Sequence, residues 1–235
     1  MIREYFKYKT TITTILADKK EHIETAKNAM INARQEIERT ILKDPIFGSS
    51  LEPYETDSDS EIIRKMTNAG NLAGTGPMAS VAGTIAWEGV SAMKNKGAKF
   101  AVIDNGGDIA LISDRTVKIG LYAGNSPLSK KMAFLIPPAK EITGICTSSA
   151  TVGPSISFGI ADSVTVFSNN VSLADAWATS ICNQIKMPFN DELFNSLENS
   201  DIIGVFAVIG KDMIRWGEIP KIAAANVDEN LITSG

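Results

Sequence analysis

Residues 172–179 (SLADAWAT) place a carboxylate and a hydroxyl four positions apart, at Asp175 and Thr179. In a helix such side chains project from one face. Both could then supply oxygen ligands to a hard cation such as Mg²⁺, which keeps several of its waters and needs few protein ligands. A structural interpretation is also open, because Ser172 and Asp175 fit a capping box and Thr179 could bond a carbonyl one turn back. These residues alone do not choose between a metal site and a helix cap.

The segment 104–108 (DNGGD) stands between two apolar runs. Asn-Gly is a strong signal for a tight β-hairpin. The glycines would also let the backbone approach a phosphate or a ring, and the flanking carboxylates could bind a ribose hydroxyl or an ion. Both interpretations can hold together. The candidate ligand-binding residues here are Asn105, Gly106, Gly107 and Asp108.

The densest run of hydroxyl side chains is 146–157 (CTSSATVGPSIS). Such runs commonly satisfy their own backbone. This one follows one predicted strand and precedes another, so we expect it to lie over the same sheet end as residues 104–108. Its candidate ligand-binding residues are Thr147, Ser148, Ser149 and Ser155.

The few histidine and cysteine residues, and the absence of a P-loop lysine, exclude several classes of catalytic site. The chain has one histidine, His22, which the sequence places on a solvated helix face; Ser-His-Asp catalysis, Cys-His catalysis and a His-rich zinc site are therefore excluded. Two cysteines, Cys146 and Cys182, are expected to be free thiols. The turn 74–77 (GTGP) predicts a helix start whose free N–H groups could hold an anion, but it lacks the lysine of a P-loop.

Hydrophobic periodicity predicts the elements that must position these residues. Residues 4–17 alternate as one strand, and Asp18 with Glu21 is expected to cap the helix that follows. Residues 99–136 read as an antiparallel meander of short strands, and the last dozen residues as loose chain. The remaining predictions are helices over 19–43, 59–71, 78–95 and 172–186, a short one over 191–197, and strands over 142–148, 162–168, 202–209 and 212–216.

Composition indicates a globular α+β protein. The 235 residues are 44% hydrophobic and 21% charged, and we expect a single domain over residues 1–235. A net charge of -4 argues against nucleic-acid binding. The sequence lacks an apolar run of roughly 18 residues, so we expect no membrane span. The first residues also lack the apolar core of a secretion signal, which predicts a cytoplasmic protein.

Four segments together resemble a known family. Residues 76–83 (GPMASVAG), 104–108, 147–166 and 174–179 occur in the order seen in a branch of the ApbE-like superfamily found in archaea and bacteria. The resemblance covers nearly the whole chain. It implies an α+β fold in which layered helices pack on an antiparallel or mixed sheet.

The resemblance also implies a function. ApbE enzymes are Mg²⁺-dependent flavin transferases, which cleave FAD and attach FMN to a Thr or Ser hydroxyl of a target flavoprotein while AMP leaves. Mg²⁺, FAD or a related flavin nucleotide, and an acceptor flavoprotein are thus the implied cofactors and partners, and a homo-oligomer is compatible with them. The matching positions are Asp175 and Thr179 for the Asp-x-x-x-Thr metal ligands, Gly106, Gly107 and Asp108 for the Gly-Gly-acidic loop, and Thr147 and Ser148 for the start of the Thr-Ser-Gly segment.

The chain departs from the enzymes at one segment. Their His-x-x-(Asp/Asn)-Pro motif, thought to help activate the acceptor hydroxyl, is shortened here to residues 153–155 (GPS). Nucleotide or flavin binding does not depend on that motif, whereas transfer does. The alternatives to a transferase are a non-catalytic flavin or nucleotide binder, and a scaffold subunit whose small-residue helix 78–95 packs against a partner.

Overall fold

The computed structural model describes residues 1–151 and 159–233. Its main feature is an eight-stranded antiparallel sheet with the spatial order β1-β2-β3-β4-β7-β8-β9-β10, accompanied by a three-stranded sheet, β11-β6-β5. The strands are β1 (Ile2–Tyr8), β2 (Thr11–Ala17), β3 (Ala101–Asn105), β4 (Asp108–Ser113), β5 (Val117–Gly120), β6 (Met132–Ile136), β7 (Ala139–Ser148), β8 (Ser163–Ser168), β9 (Ile202–Ile209), β10 (Asp212–Gly217) and β11 (Lys221–Ala224). The α-helices are α1 (Lys20–Lys43), α2 (Pro45–Ser49), α3 (Glu61–Ala73), α4 (Val81–Asn95) and α5 (Val171–Gln184).

Each face of the large sheet has its own core. One face packs against the helices, so that Ile103 of β3 joins Ile23 and Val90 from α1 and α4. The opposite face packs against the small sheet through Phe134, whose ring makes edge-to-face contacts with Phe167 and Phe206. The α+β fold class predicted from the sequence is confirmed. In the described residues no helix is long and apolar enough to cross a membrane.

The prediction of one strand over 4–17 was wrong, because these residues form the hairpin β1–β2. Tyr8 pairs with Thr11, and Lys9 takes a positive φ of 55° at the turn. Alternation continues on both sides of this turn, and the turn contains no Gly, Asn or Pro to signal it. Periodicity alone therefore could not locate the reversal.

The long first helix was predicted well, but its start and its histidine were not. The residue that caps α1 is Lys19, which makes no side-chain cap bond, while the Asp18 carboxylate accepts a 2.6 Å bond from Arg115. His22 is only 5% exposed, not solvated. It shares the buried i, i+4 stripe with Ala26 and Met30, a signal that was present in the sequence.

The predicted meander over 99–136 divides between two sheets. β3 and β4 pair as expected, but β4 next pairs with β7, while β5 and β6 leave to form the small sheet. The last dozen residues are not loose throughout. They begin at the end of β11, which pairs with β6, and they reach Thr233, a buried residue.

The helices that border the site lie within two residues of their predicted bounds, except at the start of α4. Residues Pro77–Ser80 form a 3₁₀ turn, and the α-helix begins only at Val81. The small residues of α4 contact this chain itself, since a Cβ on Gly83 would lie 2.9 Å from the Cβ of Asp175, and one on Gly89 would lie 2.3 Å from Ile103. This use of α4 argues against a scaffold role for its small-residue face.

A buried pair of carboxylates as the candidate functional site

The hairpin turn 104–108 brings the first ligand candidates to one end of the large sheet. Asn105 pairs with Asp108, and the two residues between them, Gly106 and Gly107, have φ values of 70° and 106°. Two successive positive φ values are those of a type I′ turn, which confirms the predicted hairpin. Because side chains alternate along a strand, Asn105 and Asp108 face the helices while Asp104 faces the opposite side.

The start of α4 meets this turn and the helix α5. The Asp175 Oδ2 atom accepts a 2.7 Å hydrogen bond from the backbone N–H of Gly83, and the N–H of Ala82 also donates to this carboxylate. The Asn105 side chain donates to the carbonyl of Ala82 at 2.9 Å. The Asp175 carboxylate therefore lies at the positive N-terminal end of α4, and Asn105 fixes the turn to the same helix end.

Asp108 is the least satisfied group of the site. Its Oδ1 atom is buried and has no hydrogen-bond partner among the described residues. Burial raises its pKa well above the ordinary value, and the negative charges of Asp175 and Asp104 raise the pKa further; only weaker bonds, such as the one from the Thr147 N–H, oppose this. A buried carboxylate oxygen that lacks a hydrogen-bond partner lowers the stability of a protein. Such an atom is therefore a candidate for contact with a bound ligand or ion.

The pKa of Asp175 is also raised, but more backbone N–H groups oppose the shift. Burial raises the pKa of Asp175 to about 7, although the Gly83 N–H, the Asp108 carboxyl and the Ala82 N–H lower it in part. The Cys146 thiol, opposite Asp108 on β7, also has its pKa raised by burial and by both carboxylates. Near neutral pH the two carboxyl groups therefore hold at least one proton between them when no cation is bound.

The residues fit a hard cation. Neither Asp108 nor Asp175 has a Lys, Arg or His ion-pair partner in the described part of the chain, and the Asp108 Oδ1 atom is free to coordinate. Thr179, half-buried one turn after Asp175 on α5, offers a hydroxyl. The described residues contain no group of three or more His, Cys, Asp and Glu side chains placed to hold a metal, so water or a ligand would have to complete the shell. An incomplete, all-oxygen set suits Mg²⁺.

The hydroxyl run divides between the two faces of the sheet. Thr147 points away from the carboxylates, and its hydroxyl lies 2.9 Å from that of Thr165. Ser148, on the helix face, is buried. The Ser149 hydroxyl accepts a 3.0 Å bond from the Thr151 N–H, as in an ordinary hydroxyl turn. Ser155, like the rest of 153–155, lies outside the described residues.

Sequence reasoning missed the two backbone groups that hold Asp175. It placed the free N–H groups at residues 74–77, whereas Ala82 and Gly83 donate them, because the 3₁₀ turn intervenes before the α-helix. Gly83 was the one sequence signal for this contact, because a Cβ at this position would lie only 2.9 Å from the Cβ of Asp175. The sequence predicted Asp175, Asn105 and Asp108 separately, and the fold brings them together.

Two surface cavities lie elsewhere in the described structure. One of about 450 Å³ is lined by residues 169–170 and 200–203, and one of about 400 Å³, at the end of α5, by residues 184–186, 188–190 and 192–193. Neither is lined by Asp108 or Asp175.

Comparison with known proteins places the chain in a family. Residues 6–210 match the family described as AbpE bacteria. A UPF0280 protein of Methanosphaerula palustris is 56% identical over 100% of this chain and 99% of its own length, and one of Methanoculleus marisnigri is 57% identical over 100% and 96%. The chain belongs to the AbpE bacteria family, whose match ends before β10 and the C-terminal segment.

Solved structures share the fold. The flavin transferase ApbE from Vibrio cholerae matches with a TM-score of 0.54 at 13% identity, covering 92% of this chain and 96% of that one. The Pseudomonas stutzeri flavinyl transferase ApbE, in its apo form, matches with a TM-score of 0.56 at 12% identity, covering 100% and 98%. The ApbE-like architecture expected from the sequence is confirmed.

Proposed function

We propose that this protein binds Mg²⁺ together with a flavin nucleotide, FAD or a close relative, at the Asp108–Asp175 pair. Asp108, Asp175 and Thr179 would supply the protein ligands of the metal. The observation that carries the proposal is the buried Oδ1 atom of Asp108, which has no partner among the described residues and lies beside a second buried carboxylate. The ApbE fold supports flavin as the ligand class.

A divalent cation would remove the electrostatic cost of the site. Two carboxylates that are buried together destabilise a protein when both are charged, because neither hydration nor a counter-ion compensates them. Mg²⁺ would neutralise both and keep open positions for water or phosphate oxygens. Bound Mg²⁺ would supply charge neutralisation to a pyrophosphate and to a leaving phosphate.

The hairpin turn is suited to a nucleotide. At Gly106, nothing among the described atoms lies within 4 Å of where a Cβ would be, so the backbone is open to a ligand on that side. Asn105 keeps the turn attached to the start of α4, and Gly83 leaves room for Asp175 to reach the same helix end. These residues would hold the metal and the nucleotide side by side.

FMN transfer to a Thr or Ser hydroxyl of a target flavoprotein is the activity that the fold favours. A non-catalytic flavin or nucleotide binder is the second candidate, and residues 153–155 favour it because they replace the histidine segment expected of a transferase. Both candidates use the same metal and nucleotide site, so they differ only in whether FAD is cleaved.

Binding is tested on the full chain with FAD, with and without Mg²⁺. We expect calorimetry to show FAD binding that needs Mg²⁺ and is lost on adding EDTA. Asp175→Asn, which keeps the shape but removes the charge, should weaken Mg²⁺ binding by at least about a hundredfold, since a carboxylate ligand is lost. Asp212→Asn, on exposed edge strand β10, is the matched control and should bind as the wild type does. Binding that ignores Mg²⁺ or Asp175 would refute the proposed site.

Transfer is tested separately by chromatography of the reaction mixture. AMP released from FAD, with FMN attached to a Thr-containing acceptor peptide, would establish the transferase. FAD that stays bound and intact in the presence of Mg²⁺ and acceptor would instead establish the binder.

A further inference from the structure

The C-terminal segment crosses the face of the large sheet that is opposite the helices. After β11, the N–H groups of Ala225 and Val227 each donate a 2.9 Å bond to the loop before β6, at Lys131 and Lys130. Further on, the Arg3 side chain of β1 donates to the Leu231 carbonyl at 2.9 Å. We call residues 225–233 the C-terminal strap.

The strap ends on a buried polar contact. Thr233 is 7% exposed, and its hydroxyl donates to Oδ2 of Asp104 at 2.6 Å. The same hydroxyl lies 2.9 Å from that of Thr14, the residue opposite Asp104 on β2. A hydroxyl has a single proton, so the Thr233 hydroxyl can donate either to Asp104 or to Thr14 at one time. The three side chains thus form one hydrogen-bonded cluster beneath the sheet end.

Asp104 connects this contact to the candidate site. Its Oδ1 atom accepts a 2.9 Å bond from the N–H of Gly107, inside the turn that leads directly into Asp108. One carboxylate therefore holds the strap with one oxygen and the turn with the other. Gly107 has a φ of 106°, so the turn depends on such bonds to keep its geometry.

We propose that the C-terminal strap is a positioning element for the metal site. Thr233 would hold Asp104, and Asp104 would hold the turn so that the Asp108 carboxylate faces Asp175 and the cation. This inference rests on the proposed function. It adds a part of the chain that the family match to residues 6–210 does not reach.

A positioning role differs from a role in folding. Residues 228–231 of the strap are exposed, and no strap residue belongs to either buried core cluster of the described structure. Losing the Thr233 hydroxyl should therefore loosen the turn more than it destabilises the protein. A hydrogen bond to a charged group, once lost, changes an equilibrium by roughly tenfold.

The test compares Thr233→Val with Thr233→Ser and with a matched control, Thr25→Val. Thr25 lies on the exposed side of α1, where its hydroxyl donates to the Glu21 carbonyl at 2.9 Å. Calorimetric titration with Mg²⁺ should show an affinity about fivefold to tenfold weaker for Thr233→Val, and within about twofold of wild type for the other two variants. In NMR spectra recorded without Mg²⁺, the amide signals of Gly107 and Asp108 should shift in Thr233→Val only.

A double variant identifies the route. If Thr233 acts through Asp104, adding Thr233→Val to Asp104→Asn should weaken Mg²⁺ binding no further. Wild-type Mg²⁺ affinity and unshifted turn amides in Thr233→Val would overturn the strap proposal alone. Failure of the wild-type protein to bind Mg²⁺ would overturn the proposed function, and the role of the strap with it.

Discussion

Asp104 and Asp108 lie four residues apart on one hairpin, and they show what distinguishes a structural carboxylate from a candidate ligand. Burial raises the pKa of both. Asp104 has each oxygen bonded, to the Gly107 N–H and to the Thr233 hydroxyl, whereas the Oδ1 atom of Asp108 has no described partner. Burial is therefore common to both carboxylates, and the difference between them lies in the unmet hydrogen-bonding capacity of Asp108.

The difference follows from the two faces of the same sheet end. Beneath it, the chain supplies its own hydroxyl groups from Thr14 and Thr233. Above it, the helices supply the N–H groups of Ala82 and Gly83, which satisfy Asp175 only in part. On one face both oxygens of Asp104 have partners within the chain, and on the other the Oδ1 atom of Asp108 has none among the described residues.

The largest expected effect that tests this comparison is on pH-dependent stability. Asp175 has a pKa of about 7 in the folded protein and an ordinary value of 3.8. Between these values the folded state binds more protons than the unfolded state, so the free energy of unfolding falls as pH rises from about 4 to about 7. The loss is up to about 4 kcal/mol, at about 1.4 kcal/mol per tenfold change in the ionisation equilibrium. The raised pKa values of Asp104 and Asp108 act with the same sign.

Urea unfolding at pH 5 and pH 8 measures this effect. We expect the protein without Mg²⁺ to be more stable at pH 5, and Mg²⁺ to restore stability at pH 8, where the carboxylates are free to bind it. Asp175→Asn should reduce the dependence on pH. Equal stability at the two pH values would mean that the carboxylates are compensated by something other than a cation.

Opposite responses of the two aspartates to the same substitution would sharpen the comparison. At pH 8 without Mg²⁺, Asp108→Asn should stabilise the protein by about 1–2 kcal/mol, because it removes a buried carboxyl group whose ionisation burial and Asp175 oppose. Asp104→Asn should destabilise it by about 1–2 kcal/mol, because an amide cannot accept from both the Gly107 N–H and the Thr233 hydroxyl. Thermal or urea unfolding of both variants checks the signs. If both substitutions changed stability in the same direction, Asp104 and Asp108 would not differ as proposed.

The smallest expected effect separates two threonines on opposite faces. Thr179→Val should weaken Mg²⁺ binding by roughly threefold to tenfold, because it removes a ligand hydroxyl near Asp175. Thr147→Val should leave Mg²⁺ binding unchanged and cost about 1 kcal/mol of stability, since Thr165 loses its partner. Calorimetric titration together with unfolding of each variant measures both quantities. If Thr147→Val weakened Mg²⁺ binding and Thr179→Val did not, the metal would have to lie on the other face.

Several elements were predictable because their signals are local. The turn 104–108 follows from Asn-Gly, and α1 follows from its apolar stripe. The hairpin β1–β2 was not predictable, because the turn at Lys9 carries no turn residue. The spacing of His22 with Ala26 and Met30 indicated that it is buried. Its charged sequence neighbours favoured the wrong prediction of a solvated side chain.

The amino-acid sequence by itself indicated Asp175 and Thr179 as candidate metal ligands and Asp108 as a candidate nucleotide-binding residue, and it excluded histidine-based catalysis. Only the tertiary structure decided that Asp108 and Asp175 share one buried site, that Thr147 faces away, and that Thr233 reaches Asp104. The reason is physical. Local pattern specifies the type and the face of a side chain within its own element, whereas burial and the supply of partners depend on residues far apart in the chain, such as Gly83 and Asp175, which only packing brings together.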